Sequence, residues 1–276
     1  MARVPFSAVI SVYKNDDPVN FELALQSITR DQTEKPNEVV LIVDGPIPDD
    51  LSSVVDRFDA EDSTIRVVRL PENKGLGMAM RLAVELCSNE LIARMDSDDY
   101  SEPTRFAQQL HAFEEHPELD VVGGDIAEFI GDISNTVGRR VVPTDDAAIK
   151  HYMKTRCGMN HVTVMFKKSA VLRAGNYKDW FWNEDYYLWI RMQENNSTFG
   201  NTGTVLVKVR SGEDMYQRRG GKKYFQSEKK LQNYMLEHKM INRGTYCMNV
   251  LKRWLVQIVL PNKLRGWVFR TFAREN

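Results

Sequence analysis

Cysteine is scarce and poorly placed for its usual structural roles. Cys87, Cys157 and Cys247 stand far apart in a chain of 276 residues. An odd number without metal-ligand spacing argues against a disulfide framework or a zinc site, and for a reducing compartment. No apolar run is long enough to span a bilayer. The apolar stretch within MARVPFSAVISVYKNDD (1–17) is too short for a signal peptide and suits a strand. No G-x-G-x-x-G follows that stretch and no G-x-x-x-x-G-K-S/T occurs, so a dinucleotide fingerprint and a P-loop are both missing. No known nucleic-acid module accompanies the basic residues, so nucleic acid is not expected as a partner.

What is present supports a real core. Hydrophobic residues make up 42% and aromatics 10% of the chain, enough for one large α/β domain with or without an appendage. The net charge of −1 hides a division: residues 208–276 carry 16 Lys and Arg against 5 Asp and Glu, and residues 1–207 carry 21 against 33. An acidic body with a basic tail implies an anionic partner for the tail.

Near-continuous apolar segments at 6–13, 38–43, 65–69 and 91–95 read as buried strands, with helical stretches between them. Asp16 or Asp17 can cap a helix that Pro18 opens. Strands alternating with helices predict a doubly wound, mostly parallel central sheet with helices on both faces. Further strands are expected at 120–125, after Asn160–His161 and at 204–210, with a loop or hairpin at 131–142. Helices are expected from Pro103 to His116, over 144–153, from Asp185 and over 224–243.

Several polar loops then fall at strand carboxyl ends, where α/β proteins bind ligands. The densest is ARMDSDDYSEP (93–103), which puts Asp96, Asp98 and Asp99 within four residues. Such carboxylates repel one another unless a cation neutralises them, and Mg²⁺ or Mn²⁺ favours these oxygens together with substrate phosphate. If the segment is extended, Asp96 and Asp98 converge while Ser97 points away. An acidic surface turn is the alternative, with Asp99 as a helix cap. Asp44, before Gly45-Pro46, suits either a turn or a reader of the imide N–H of uracil.

The ordered set SVYKND (11–16), LIVDGP (41–46), NKGLGMAMR (73–81), ARMDSDDYSEPTRF (93–106), NHVTVMF (160–166) and NEDYYLWIR (183–191) resembles the family 2 glycosyltransferases of GT-A fold. It is most similar to the bacterial branch of O-antigen, capsule and exopolysaccharide assembly, and covers roughly residues 5–210. The resemblance implies that Val12, Tyr13, Asp16 and Asp44 hold the base and ribose of a nucleotide-sugar. Lys74 and Arg81 belong to the same binding region, as does Ser97. Asp96 and Asp98 carry over onto the family's Asp-x-Asp, one on the ribose side and one on a divalent metal bridging the donor diphosphate. Asn160 and His161 lie near the acceptor. Asp185, in the Glu-Asp pair, becomes the general base of an inverting reaction, with Glu184 supporting it and Trp182 on the acceptor sugar. Each residue also has a purely structural reading: turn, cap, core ring or solvated charge.

Arg218 and Arg219, set between Gln217 and Gly220, suit a loop that clamps diphosphate. Leu251, Trp254, Leu255, Ile258 and Val259 repeat at helical spacing, and Leu264, Trp267, Val268, Thr271 and Phe272 continue beyond Pro261. Flanked by Lys and Arg, these stripes suit either a membrane interface or packing on the body. The expectation is a catalytic domain over 1–210 and a basic, helical appendage over 211–276, cytoplasmic and peripheral at the inner face of the membrane. The expected reaction moves a hexose or N-acetylhexosamine from a UDP-sugar to an undecaprenyl-diphosphate-linked saccharide, with Mn²⁺ or Mg²⁺. A nucleotidyltransferase and a non-catalytic membrane scaffold are the alternatives. The first would carry a Gly-rich basic loop after the first strand, and the second would have lost Asp98 or Asp185.

Overall fold

The computed structural model describes residues 4–212 and 220–261. Strands β1 (Phe6–Val12), β2 (Glu38–Val43), β3 (Ile65–Arg69) and β4 (Leu91–Met95) pair in parallel in the order β3-β2-β1-β4. Helices α1 (Pro18–Ile28), α2 (Asp49–Glu61) and α3 (Leu76–Leu86) form the crossovers. β1, β2 and β4 are largely apolar because both faces are covered, whereas β3 at the sheet edge exposes Arg66 and Arg69. Val9, Val40 and Ile42 enter one core, and their neighbours Ala8, Ile10, Val39 and Leu41 enter the other. Asp17 caps α1 by accepting from the backbone N–H groups of Val19 and Asn20 at 3.0 and 2.9 Å, and Pro18 follows at the first helical position.

The sheet continues beyond β4 as a mixed structure. Strands β5 (Tyr100–Ser101), β6 (Val121–Phe129), β7 (Thr136–Arg140), β8 (Met165–Lys167) and β9 (Phe199–Arg210) complete nine strands among the described residues. β8 runs antiparallel to β4 and to β6, β7 forms a hairpin with β6, and only β6 and β9 pair in parallel. The parallel character expected of the sheet thus holds for its first four strands. The register between β6 and β9 shifts around Gly123, Gly124 and Asp125, so those glycines mark a bulge packed against Asn201 and Leu206.

Helices α4 (Arg105–Glu115), α5 (Asp146–Tyr152), α6 (Lys168–Arg173) and α7 (Glu184–Glu194) cover this half. The helix expected over 224–243 is α8 (Lys222–Glu237), which stops short at Glu237; α9 (Arg243–Trp254), with a π-turn over Leu255–Val259, carries the stripe expected from Leu251 to Val259. Asn242 breaks the pattern by capping α9 through the Thr245 N–H at 2.9 Å. Leu231, Met235 and Ile241 join the core that contains Trp189 and Val84, so α8 packs on the sheet layer itself. The second tail stripe, 264–272, lies outside the described residues.

Candidate active site

The carboxyl ends of β1, β2 and β4 open onto a cleft of about 1270 Å³, walled on its other sides by residues 179–186 and the end of α9. Val12, Tyr13 and Asp16 line it from the first loop, and the Tyr13 ring is exposed. The Tyr13 N–H donates to Asp16 Oδ2 at 2.9 Å, closing the loop into a turn. Asp44 lines it from the second loop. Its carboxylate accepts from the backbone N–H of Lys74 at 2.7 Å, from that of Gly75 at 3.0 Å and from the Asn73 amide at 3.0 Å. Asp44 therefore anchors the third loop while lining the cleft. Gly45 beside it is obligatory: its φ is +88° and a Cβ would stand 2.6 Å from Asn73 N.

Residues 96–99 form a turn, not an extended segment, and this changes where their side chains go. Arg94 is 1% exposed, and its guanidinium donates through two nitrogens to both oxygens of Asp96, one at 2.6 Å. Asp96 therefore faces Arg94 with both oxygens rather than offering them to a metal. Ser97 does not point away: it lines the cleft together with Asp16, Asp96 and Asp98. Asp99 does not cap α4, which begins at Arg105. It is buried and accepts the Arg210 N–H at 2.8 Å. Burial and the facing carboxylates raise Asp98 and Asp99 above the usual range, Asp99 strongly, and bring Asp16 to about 6. Asp98 is left as the exposed carboxylate of this turn, with no hydrogen bond or ion pair to another side chain among the described residues. No three-residue His, Cys or carboxylate cluster of metal-site geometry occurs among the described residues. One carboxylate completed by substrate phosphate and water is nonetheless a usual Mg²⁺ arrangement, and the mutual repulsion of Asp16, Asp98 and Asp99 suits a cation.

On the far side, Glu184 and Asp185 open α7 and line the same cleft. Asn183, not Asp185, stands at the N-cap position. Burial raises Asp185, against the pull of the Tyr186 N–H, Arg94 and Arg140. Burial and then Asp185 bring Glu184 to about 7. Gly77 in the first turn of α3 makes this approach possible, because a Cβ there would lie 3.1 Å from Lys178 O and 3.3 Å from Glu184 Cβ. Trp182 is exposed with φ +60°, a conformation unusual for a bulky residue and found where function requires it. Its ring meets Tyr224 edge-on at 6.5 Å. His161 lines the cleft with Nε2 2.9 Å from the Tyr177 hydroxyl, and burial holds it well below the ordinary imidazole range.

Three expected site residues turn elsewhere. The Lys74 ammonium pairs with Glu72 on the surface, and only its backbone N–H serves the site, through Asp44. Arg81 pairs with Glu85 at 3.2 Å and donates to Tyr177 O at 3.4 Å, because its position on α3 faces the 176–178 segment. Asn160 is buried and donates to Gly124 O at 2.8 Å, tying its turn to β6. Arg218 and Arg219 lie outside the described residues. Missing from the expected set are Arg94, Arg210, Tyr177 and the lining from α9. For Arg94 a signal existed: a cation inside the apolar strand LIARM needs a buried partner.

A nucleotide-sized cleft at parallel strand ends, with crowded carboxylates on one side and a raised Glu-Asp pair on the other, is the arrangement of a group-transfer enzyme using an activated phosphate ester. Residues 7–181 match Glycosyl transferase family 2, and the chain belongs to that family. The amylovoran biosynthesis glycosyltransferase AmsE of Erwinia amylovora is 36% identical over 87% of this chain and 90% of its own. The UDP-Gal:alpha-D-GlcNAc-diphosphoundecaprenol beta-1,3-galactosyltransferase of Escherichia coli is 32% identical over 98% and 97%. The mannosyltransferase PcManGT of Pyrobaculum calidifontis, solved with GDP-Man and Mn²⁺, shares the fold with a TM-score of 0.61 at 13% identity, over 96% of this chain and 72% of that one.

Proposed function

We propose that this chain is an inverting transferase that moves a hexose or N-acetylhexosamine from a UDP-sugar to a saccharide carried on a lipid diphosphate, undecaprenyl diphosphate in bacteria. The product is a β-glycosidic bond in surface-polysaccharide assembly. One observation carries the reading: Asp185, raised by burial, shares a single cleft with the Asp96–Asp99 turn. The E. coli relative, aligned over nearly its whole length, has this donor and acceptor class in its name.

The mechanism follows from the residues. Tyr13, Asp16 and Asn73 border the position for base and ribose, and Asp44 fixes the loop that carries Asn73. Arg94 holds Asp96 immobile at the floor. Asp185 accepts the proton of the acceptor hydroxyl as its oxygen attacks the sugar C1. The C1–O bond to the nucleoside diphosphate breaks on the opposite face, so the configuration inverts. Trp182 offers a ring face to the acceptor sugar. Asp98 would hold a divalent metal, Mn²⁺ or Mg²⁺, together with donor phosphate oxygens. When bound, that ion neutralises charge on the departing diphosphate.

Membrane attachment is part of the proposal. Leu251, Trp254, Leu255, Ile258 and Val259 are all exposed on α9 and its π-turn, with Lys252 exposed between them. Such a face suits the interface of an anionic, cytoplasmic leaflet. Among the described residues no helix is long and apolar enough to cross a membrane.

The experiment is thermal stabilisation by UDP, GDP, CDP and ADP, each with and without Mn²⁺, followed by transfer assays with the matching sugars. Mn²⁺-dependent stabilisation by UDP supports the reading. A response to GDP alone reassigns the donor, and no response to any nucleotide removes the activity.

A further inference from the structure

The cleft has a second charged end, away from the Asp96–Asp99 turn. Arg140 donates to Cys157 O at 2.6 Å and Arg253 donates to Thr155 O at 2.9 Å. These two bonds bring a guanidinium from β7 and one from α9 onto the same short turn, on either side of Arg156. Lys252 adds a fourth cation from α9, and all four line the cleft. Two carboxylates stand near them: Glu228, paired with Arg253, and Asp185, which feels the Arg140 charge. Neither Arg156 nor Lys252 has an ion-pair partner among the described residues; Arg156 only lies 5.8 Å from the Tyr152 ring. Asn249 fastens α9 to this turn through Lys154 O at 2.8 Å, so the cluster is braced. It is also close to the chemistry. Tyr186, next to Asp185, bonds Met153 O at 2.5 Å, and Arg140 acts on Asp185 directly.

A donor with its metal neutralises the acidic turn at one end of the cleft. At the other end Arg156 and Lys252 have no ion-pair partner among the described residues, and two such cations call for a second anion. The helix that supplies Lys252 carries the exposed apolar stripe on its outer side, so the ligand that fits is amphipathic: an anionic head inside and a hydrocarbon chain leaving along α9.

We propose that Arg156 and Lys252, supported by Arg140 and Arg253, bind the diphosphate of the lipid-linked acceptor, with α9 as the bridge between active site and membrane. This rests on the reading of the acceptor as a lipid diphosphate. The same cations could instead serve the donor diphosphate, and the two sources are separable.

The test uses farnesyl diphosphate as the acceptor-head probe and UDP with Mn²⁺ as the donor probe, by calorimetry on the full chain. The wild-type protein is expected to bind both at once. Arg156→Ala and Lys252→Ala are each expected to weaken farnesyl diphosphate about tenfold, the loss of one charge-assisted contact, with UDP affinity and melting temperature unchanged. Neither side chain is buried, so folding is not at issue. Competition between the probes, or a loss of UDP affinity in the variants, would move the cations to the donor and overturn the assignment. Unchanged farnesyl diphosphate affinity in the double variant would also overturn it. Failure of UDP alone, with farnesyl diphosphate bound by wild type and lost by the variants, would remove the donor reading and leave this site standing.

Discussion

The Arg94 guanidinium engages both oxygens of Asp96 from a fully buried position in β4, with no other carboxylate bonded to it among the described residues. The pair explains how a strand reading LIARM can hold a cation in its middle. It also divides the labour of the acidic turn: Asp96 is held by protein and Asp98 is left for a ligand. Arg94→Met is expected to destabilise by about 2–3 kcal/mol. That is less than the ~3–5 kcal/mol for breaking a wholly buried pair, because the Asp96 side chain is 34% exposed. Arg94→Lys should recover only part, since an ammonium lacks the two-pronged geometry. Urea unfolding measures both. Equal stability of Met and Lys variants with the wild type would refute the role.

Asp98→Asn removes the free carboxylate while keeping shape. UDP stabilisation should lose its Mn²⁺ dependence, and the unliganded melting temperature should hold or rise because one of several repelling charges is gone. Calorimetric titration of Mn²⁺ with UDP reads this directly. Unaltered Mn²⁺ linkage would assign the metal elsewhere.

Asp16 titrates at about 6 in the folded protein, chiefly through burial, against an ordinary value of 3.8. The folded state therefore holds its proton more tightly than the unfolded chain. Stability from this residue is full below pH 3.8 and declines as pH rises through 6. Asp16→Asn should be more stable than wild type by roughly 1–2 kcal/mol at pH 7, with the gap closing towards pH 4. Donor affinity should fall. A gap that is constant with pH would show that the carboxylate does not titrate there.

Asp185 must be ionised to take a proton, and burial raises it above the usual carboxylate range. Activity should thus fall on the acid side at a pH above that range. Arg140 pulls Asp185 down, so Arg140→Met should move this acid limb of kcat/KM to higher pH. A limb that stays in place would disconnect the two residues.

Gly77→Ala puts a methyl group 3.1 Å from Lys178 O and 3.3 Å from Glu184 Cβ. Backbone cannot yield as a flexible side chain does, so α3 and the base loop must part. kcat should drop about tenfold or more from misplacement of the base, with UDP binding retained.

How much of this could be read in advance depended on the kind of interaction. Strands β1 to β4 were legible because burial on both faces leaves apolar runs, and the Asp-rich turn was legible because three charges in four residues need a reason. Lys74 and Arg81 went astray because a motif gives proximity in sequence, not the direction of a side chain: Glu72 and Glu85 were nearer partners. Ser97 went astray because residues 96–99 turn and do not extend. Strand β5, only two residues long, carries no periodic signal and exists through its pairing with β9. The cations of α9 reach the cleft through the packing of two helices on the sheet layer, a tertiary fact without a local pattern.

The central claim is that one carboxylate performs proton transfer in a site that binds a nucleotide-sugar independently of it. The direct measurement pairs UDP affinity in Mn²⁺ with single-turnover sugar transfer to a diphosphate-linked acceptor, for wild type and Asp185→Asn. For Asp185→Asn, UDP affinity is expected within about twofold of wild type and transfer reduced by about 10²–10⁴-fold, the range for loss of a general base. Transfer near the wild-type rate in Asp185→Asn, with the protein folded and donor bound, would contradict it.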